Sequence, residues 1–173
     1  MGRSDVADRA RGVRLAIFDV DGVLTDGTLW FGPDGEAFKA FNILDGHGLK
    51  MLQASGIATA ILSGRESDAV TRRAAELGVA HVVQGASDKL AAFERLLAAA
   101  GVGAQACAFV ADDLPDLPVL ERCGFAVAVA NAVHEVKSAS HYVTRAAGGR
   151  GAVREFCDLV LRAQGQLARV EPV

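Results

Sequence analysis

Short apolar runs alternate along the chain with longer segments of helical spacing. The runs are Leu15–Phe18, Ile57–Leu62, His81–Val83, Ala106–Val110, Phe125–Val129 and Tyr142-Val143. Each is too short for a helix, and most stop at Gly or Asp, as buried strands do. Between them the apolar positions recur with a period near that of a helix. In Lys89–Ala100, for example, Leu90, Phe93, Leu96 and Leu97 fall on one face. Gly78, Gly101 and Gly124 stand where helices are expected to stop. Regular strand–helix alternation predicts an α/β fold: a Rossmann-like parallel sheet between two helical layers.

One stretch interrupts the alternation. Thr28-Leu29-Trp30-Phe31 and Glu36-Ala37-Phe38-Lys39-Ala40-Phe41 flank Gly32-Pro33-Asp34-Gly35, which reads as a β-hairpin insertion over residues 26–42 with turn residues at its tip. A lone hairpin is marginal in water. This one carries Trp30, Phe31, Phe38 and Phe41, so it must fold back on its own sheet or pack on another subunit. Exposed aromatic patches mark interfaces, and the second outcome is the expectation.

The chain's 173 residues, 51% hydrophobic, suit one core and one domain. That domain is expected over residues 13–173, behind a mobile tail at 1–12, with a C-terminal helix and tail at 148–173. A net charge of −3 with scattered Lys and Arg provides no polycationic field for nucleic acid. No apolar run is long enough to span a bilayer, and the acidic, apolar-poor start does not read as a secretory signal. Cys107, Cys123 and Cys157 are far apart and odd in number, which fits reduced, buried thiols in a cytoplasmic protein.

The strand ends carry the candidate chemistry. Leu15–Phe18 runs into Asp19-Val20-Asp21-Gly22. In a parallel sheet, ligands bind beyond the carboxyl ends of the strands. Two carboxylates so close repel each other and call for a proton or a cation. Magnesium suits them, because it takes oxygen ligands and completes its shell with water and phosphate. A second acidic pair, Asp112-Asp113, follows the run ending at Val110, with Asp116 one helical turn on. Asp also caps helices, but two acidic strand ends can converge on one ion. Ser63-Gly64-Arg65 at the end of another strand offers a hydroxyl and backbone N–H groups to an anion. Lys89 stands at a helix start, where a cation is unfavourable unless an anion lies close by.

Together these groups describe phosphoryl transfer, in which positioning and charge neutralisation do most of the work. Asp19 is the candidate nucleophile, forming an aspartyl-phosphate. Asp21 is the candidate acid and base, protonating the leaving oxygen and then activating water. Ser63 and Lys89 would hold the phosphate oxygens.

The ordered set Asp19-Val20-Asp21-Gly22-Val23-Leu24-Thr25, Ser63-Gly64, Lys89, and Asp112-Asp113 with Asp116 resembles the four motifs of the haloacid dehalogenase superfamily. The resemblance implies Asp19 as nucleophile, Asp21 as acid/base, and Mg2+ held by Asp19, Asp112 and the Asp21 backbone carbonyl. It places Ser63, Gly64 and Lys89 at the phosphate, with Asp113 and Asp116 in support. Asp26-Gly27, Lys39-Ala40-Phe41-Asn42, Asp45-Gly46, Ser63-Gly64-Arg65 and Gly148–Glu155 further resemble the 3-deoxy-D-manno-octulosonate (KDO) 8-phosphate phosphatases. That likeness implies a capless fold and a role in lipopolysaccharide biosynthesis. It also implies a homotetramer assembled through the hairpins, with Arg65 on the sugar-acid carboxylate and Gly149 and Arg150 near the substrate.

The sequence departs from the pattern at Ala111, where Gly is usual, and at Ser63, where Thr is common. Ser keeps the hydroxyl, and Ala111 matters only if that backbone needs a positive φ. Arg65 also reads as a surface helix residue. His47, assigned to an Asp45-Gly46-His47-Gly48 turn near the site mouth, is read equally as a substrate contact or a solvated turn residue. His81, His134 and His141 have no partners at catalytic spacing and are treated as structural. Two other functions fit the same groups: a phosphatase for sialic-acid-like nonulosonate 9-phosphates, and a receiver domain that keeps its phosphoryl group. An acid/base candidate two residues from the nucleophile favours turnover over retention.

Overall fold

The computed structural model describes residues 3–33 and 35–167. Six parallel strands form the central sheet: β1 (Leu15–Phe18), β4 (Ala58–Leu62), β5 (His81–Val83), β6 (Cys107–Ala111), β7 (Phe125–Ala128) and β8 (Tyr142–Val143). They lie in the order β5-β4-β1-β6-β7-β8. The order reverses at β1, because the chain first builds outward through β4 and β5, then returns to place β6 on the opposite side. A crevice opens at such a reversal, beyond the carboxyl ends of the strands. Asp19 therefore sits at the centre of the sheet's active edge, between the ends of β4 and β6.

Helices α1 (Arg3–Arg11), α2 (Ile43–Ala54) and α7 (Ala152–Ala163) pack as one layer. Helices α4 (Lys89–Ala100), α5 (Leu117–Arg122) and α6 (His134–Ala139) form another, and α3 (Asp68–Leu77) lies beside α2. The core strands β1, β6 and β7 are buried along their whole length, as expected for a sheet covered on both faces. Phe156 of α7 locks its layer to the sheet, its ring edge-on to Phe18 at 5.7 Å and tilted against Phe125 at 6.1 Å. Gly78 and Gly101 end α3 and α4 in the left-handed conformation, with φ of 67° and 65°. Asn42 caps α2 and Asp88 caps α4 through their side chains. Cys107, Cys123 and Cys157 are free and buried.

Two expectations need correction. The stretch assigned to a mobile tail is helix α1, since Val6 and Ala10 fall on one face and pack into the core. Its end is tied down by Arg9 Nη1 donating to the Gly124 carbonyl (2.6 Å) and by Gln164 Nε2 on the carbonyls of Ala10, Arg11 and Val13. Asp45-Gly46-His47-Gly48 is not a turn but the first half of α2. There the glycines serve close packing: a Cβ on Gly48 would crowd Cys157 at 3.1 Å. Gly124 follows the end of α5 at Arg122, as expected, though without a positive φ. It is small because a side chain there would strike the Gln105 carbonyl.

The hairpin is present, with β2 (Trp30–Gly32) antiparallel to β3 (Gly35–Phe38). Trp30 and Phe38 stack at 5.3 Å, yet both stay about half exposed, and Phe31 is more exposed still. Phe41, by contrast, packs against the core. Asp34 of the turn tip and residues 168–173 of the C-terminal tail lie outside the described residues.

Candidate active site

After β1 the chain makes one wide turn, Val20–Leu24, closed by Thr25 N–H donating to the Val20 carbonyl at 3.0 Å. Gly22 adopts φ 85° there, and a Cβ on it would run into Asp112 Oδ2. Glycine is thus required twice, by conformation and by the approach of the second acidic loop. Thr25, buried, steadies the turn: its hydroxyl takes N–H bonds from Gly22 and Gly27 at 3.4 and 3.2 Å. Asn131, after β7, clamps it from outside by donating to the Gly22 carbonyl (3.0 Å) and accepting from Gly148 N–H (2.6 Å).

The turn holds Asp19 almost wholly buried, with Oδ1 accepting from Val20 N–H at 2.7 Å. Lys89 Nζ reaches in from the start of α4 and donates to Asp19 Oδ2 (2.9 Å) and Asp116 Oδ1 (2.5 Å). The anion that Lys89 requires is therefore this pair of carboxylates. Carboxylate oxygens of Asp19, Asp112 and Asp116 all lie within 4.8 Å of one another. Burial, followed by repulsion from Asp116, pushes the Asp19 carboxyl up to about 6 against the pull of Lys89. Burial, then Asp19, Asp116 and Asp113, pushes Asp112 up to about 7. Burial pulls Lys89 down, but Asp19 and Asp116 outweigh it and its pKa ends above the ordinary value. Three acids facing one lysine leave the cluster short of positive charge.

A divalent cation fits that shortage. Asp112 Oδ1 is buried without a hydrogen-bond partner, a costly state that ligation would relieve. An all-oxygen carboxylate set suits magnesium.

The other predicted residues divide into two groups. Ser63, Gly64, Arg65, Lys89, Asp19, Asp21, Asp112, Asp113 and Asp116 line one crevice of about 820 Å³. Ser63 is buried at the end of β4, its hydroxyl accepting from Arg65 N–H. Asp113 is exposed and caps the turn carrying Asp116, whose own carboxylate reaches back to Asp113 N–H. Ala111 needs no positive φ, so its departure from Gly costs nothing in the backbone. Gly149 and Arg150 lie outside the crevice lining and pack behind the turn. Gly149 N–H donates to the Val23 carbonyl (2.9 Å), and Arg150 pairs with Asp26 at 3.1 Å. Their loop is held by buried Asp45, which accepts from Gly151 and Arg154 N–H. His47 lies within α2 and His81 in β5; His134 begins α6, and His141 Nδ1 accepts from Ala126 N–H.

The Asp21 carboxylate does not join the acidic cluster. It turns to the hairpin, where Oδ1 accepts from Lys39 Nζ (2.5 Å) and Oδ2 lies 3.3 Å from Arg65 Nε. The sequence assigns no chemical role to Glu36, Ser67 or Asn131, and names Thr25, Lys39 and Asp45 only within resembling motifs. For Lys39 the sequence held a faint signal, a lone cation between aromatic hairpin positions. For Asn131 the only signal is its place just beyond a strand's carboxyl end.

A reversal-point crevice with buried carboxylates, a buried lysine and a strand-end serine is the architecture of an α/β enzyme that handles phosphate. The model of the haloacid dehalogenase-like hydrolase family matches residues 74–156. A 3-deoxy-D-manno-octulosonate 8-phosphate phosphatase of Escherichia coli is 49% identical over 95% of this chain and 87% of its own length. The structure of the same-named enzyme of Yersinia pestis superposes with a TM-score of 0.93 at 48% identity, covering 95% of this chain and 89% of that one. The Moraxella catarrhalis enzyme, solved in complex with magnesium, phosphate and KDO, gives a TM-score of 0.94 at 41% identity, covering 97% of both chains. The chain belongs to the haloacid dehalogenase-like hydrolases, in the family of the 3-deoxy-D-manno-octulosonate 8-phosphate phosphatases.

Proposed function

We propose that this protein is a magnesium-dependent phosphatase that converts KDO 8-phosphate to KDO and inorganic phosphate. The observation that carries this is the convergence of Asp19, Asp112, Asp116, Lys89 and Ser63 on one crevice, in a chain 49% identical to such an enzyme over nearly its whole length. Asp19 attacks phosphorus in line and forms an aspartyl-phosphate. Lys89 and Ser63, with backbone N–H near Gly64, hold the phosphate oxygens as charge moves onto them. Asp21 gives its proton to the departing sugar oxygen, then takes one from the water that releases phosphate. Asp19, Asp112 and the Asp21 backbone carbonyl would hold magnesium, which would supply the charge neutralisation a carboxylate needs to attack a phosphate. Arg65, half exposed at the crevice rim, pairs the sugar-acid carboxylate; its exposure and its position in the crevice lining support this.

The protein acts as a homo-oligomer, a tetramer joined through the hairpin. The support is the exposed apolar patch of Trp30, Phe31, Phe38, Ile43 and Leu44. No helix among the described residues is long and apolar enough to cross a membrane, and a cytoplasmic enzyme with reduced thiols is the reading that fits Cys107, Cys123 and Cys157. The test is a side-by-side turnover assay on KDO 8-phosphate, a nonulosonate 9-phosphate and p-nitrophenyl phosphate, with Asp19→Asn as control. KDO 8-phosphate should be hydrolysed fastest and Asp19→Asn should be inert. Faster release from the nonulosonate ester defeats the substrate assignment, and an active Asp19→Asn enzyme defeats the mechanism.

A further inference from the structure

The hairpin sends two charged side chains to the active site. Lys39 Nζ, with its side chain only 2% exposed, contacts Asp21 Oδ1 at 2.5 Å and Glu36 Oε2 at 3.1 Å. Arg65 spans the same two acids from the other side, Nη2 donating to Glu36 Oε2 at 3.0 Å and Nε lying 3.3 Å from Asp21 Oδ2. Two carboxylates and two cations thus alternate in a closed ring: Asp21, Lys39, Glu36, Arg65. Ser67 at the start of α3 anchors it, its hydroxyl donating to Glu36 Oε1 at 2.7 Å. That bond, with those from Lys39 and Arg65, holds the Glu36 carboxyl down near about 2 despite partial burial.

An exposed ion pair is worth little, but a buried lysine must be compensated, and a chain that spends apolar hairpin space on one needs a reason. Here each cation is divided between two acids. Without Glu36, both cations would be left to Asp21 alone. Without Lys39, Asp21 and Glu36 would face each other with only Arg65 between them. The ring also holds the Asp21 carboxylate apart from the Asp19–Asp112–Asp116 cluster, on the wall of the same crevice.

We propose that Glu36 and Lys39 are positioning residues of the reaction, and that the hairpin aims the Asp21 carboxylate at the leaving group through this ring. The inference rests on Asp21 as the proton-transfer group. The hairpin then has two functions: Trp30, Phe31 and Phe38 leave apolar surface exposed, while Glu36 and Lys39 pair with Arg65 and Asp21 of the site.

The test exploits the leaving group. A nitrophenolate departs without help, whereas an alkoxide needs a proton from a well-placed acid. Glu36→Gln, Lys39→Met and Lys39→Arg are compared with the unaltered enzyme by kcat/KM on p-nitrophenyl phosphate and on a simple alkyl phosphate. Sedimentation confirms that assembly is retained. Loss of aim should lower kcat/KM on the alkyl ester about tenfold more than on the aryl ester in Glu36→Gln and Lys39→Met. Lys39→Arg should recover much of that difference. Equal losses on the two esters, or no loss on either, overturn the proposal. If Lys39→Met does not fold, Glu36→Gln decides alone, since it keeps size and shape and can still accept from Ser67. An active Asp19→Asn enzyme would instead strike at the phosphatase reading itself, so the two failures are distinguishable.

Discussion

Replacing Lys89 with Met keeps the length of the side chain and removes its ammonium group. The structure fixes what is lost: contacts of 2.9 Å to Asp19 and 2.5 Å to Asp116, made by a side chain only 8% exposed. Removing one partner of a buried pair costs about 3–5 kcal/mol, because the other charge is left stranded. Here three carboxylates are left, with oxygens within 4.8 Å of one another. The cost must depend on pH. Asp19 and Asp112 already stand at about 6 and about 7, above the ordinary 3.8, and Lys89 is a group that pulls both down. Without it they rise further. The folded state then holds protons that the unfolded state has released, and stability falls as pH rises through that range. In metal-free protein the penalty should be larger above about pH 8 than near about pH 5, where Asp19 and Asp112 already hold protons and the lost contact that counts is the one to Asp116. Excess magnesium should recover part of it; a ligand at about 100 times its Kd adds about 2.7 kcal/mol. Urea unfolding at the two pH values, with chelator and with magnesium, measures all of this. A penalty below about 1 kcal/mol at high pH, or one equal at both pH values, would refute the reasoning. Turnover should fall about 10²- to 10³-fold even with the metal present, since a phosphate-oxygen donor is gone.

The raised carboxyls of Asp19 and Asp112 also mean that protons compete with the metal, so apparent magnesium affinity should climb between about pH 6 and pH 8 in calorimetric titrations. Asp112→Asn, which removes a charge at nearly constant side-chain volume, should weaken magnesium binding at least about tenfold by the same titration. Gly148→Ala should destabilise by about 1–3 kcal/mol or more in thermal melts, because its Cβ would strike the Gly22 carbonyl at the centre of the catalytic turn. Trp30→Asp should disperse the oligomer in sedimentation velocity, and an unchanged profile would count against the hairpin interface.

Every strand of the parallel sheet was visible from its apolar run to within a residue or so, because strands buried on both faces leave little freedom in composition; the hairpin strands, exposed, were misjudged by two to three residues. The helix α1 was hidden for the opposite reason. It is mostly polar and rests on Val6 and Ala10 together with distant partners, Gly124 and Gln164, and no local periodicity announces those. The first half of α2 was misread because Gly46 and Gly48 look like turn residues. They are small for tertiary reasons, Gly46 to admit Arg73 and Gly48 to admit Cys157.

The site was legible along the same line and fails to be legible at the same kind of place. Asp19, Ser63, Lys89 and Asp112 follow strands or open a helix, so a linear reading of the fold brings them together. What surrounds them arrives sideways. Glu36 and Lys39 come from an insertion outside the sheet, and Asn131 and Asp45 act on backbone groups more than a hundred residues away. The sequence reading took the hairpin for an assembly device because its aromatics dominate its composition. Its charged residues turn the interpretation: an element that exposes aromatic rings and also touches Asp21 through Lys39 ties the aim of the acid to the surface by which copies of the chain would meet. If that coupling is real, dispersing the oligomer with Trp30→Asp should slow the alkyl ester more than the aryl ester, as Glu36→Gln does. Retention of the unaltered alkyl-to-aryl ratio in the dispersed protein would show that the ring needs no neighbour to hold it.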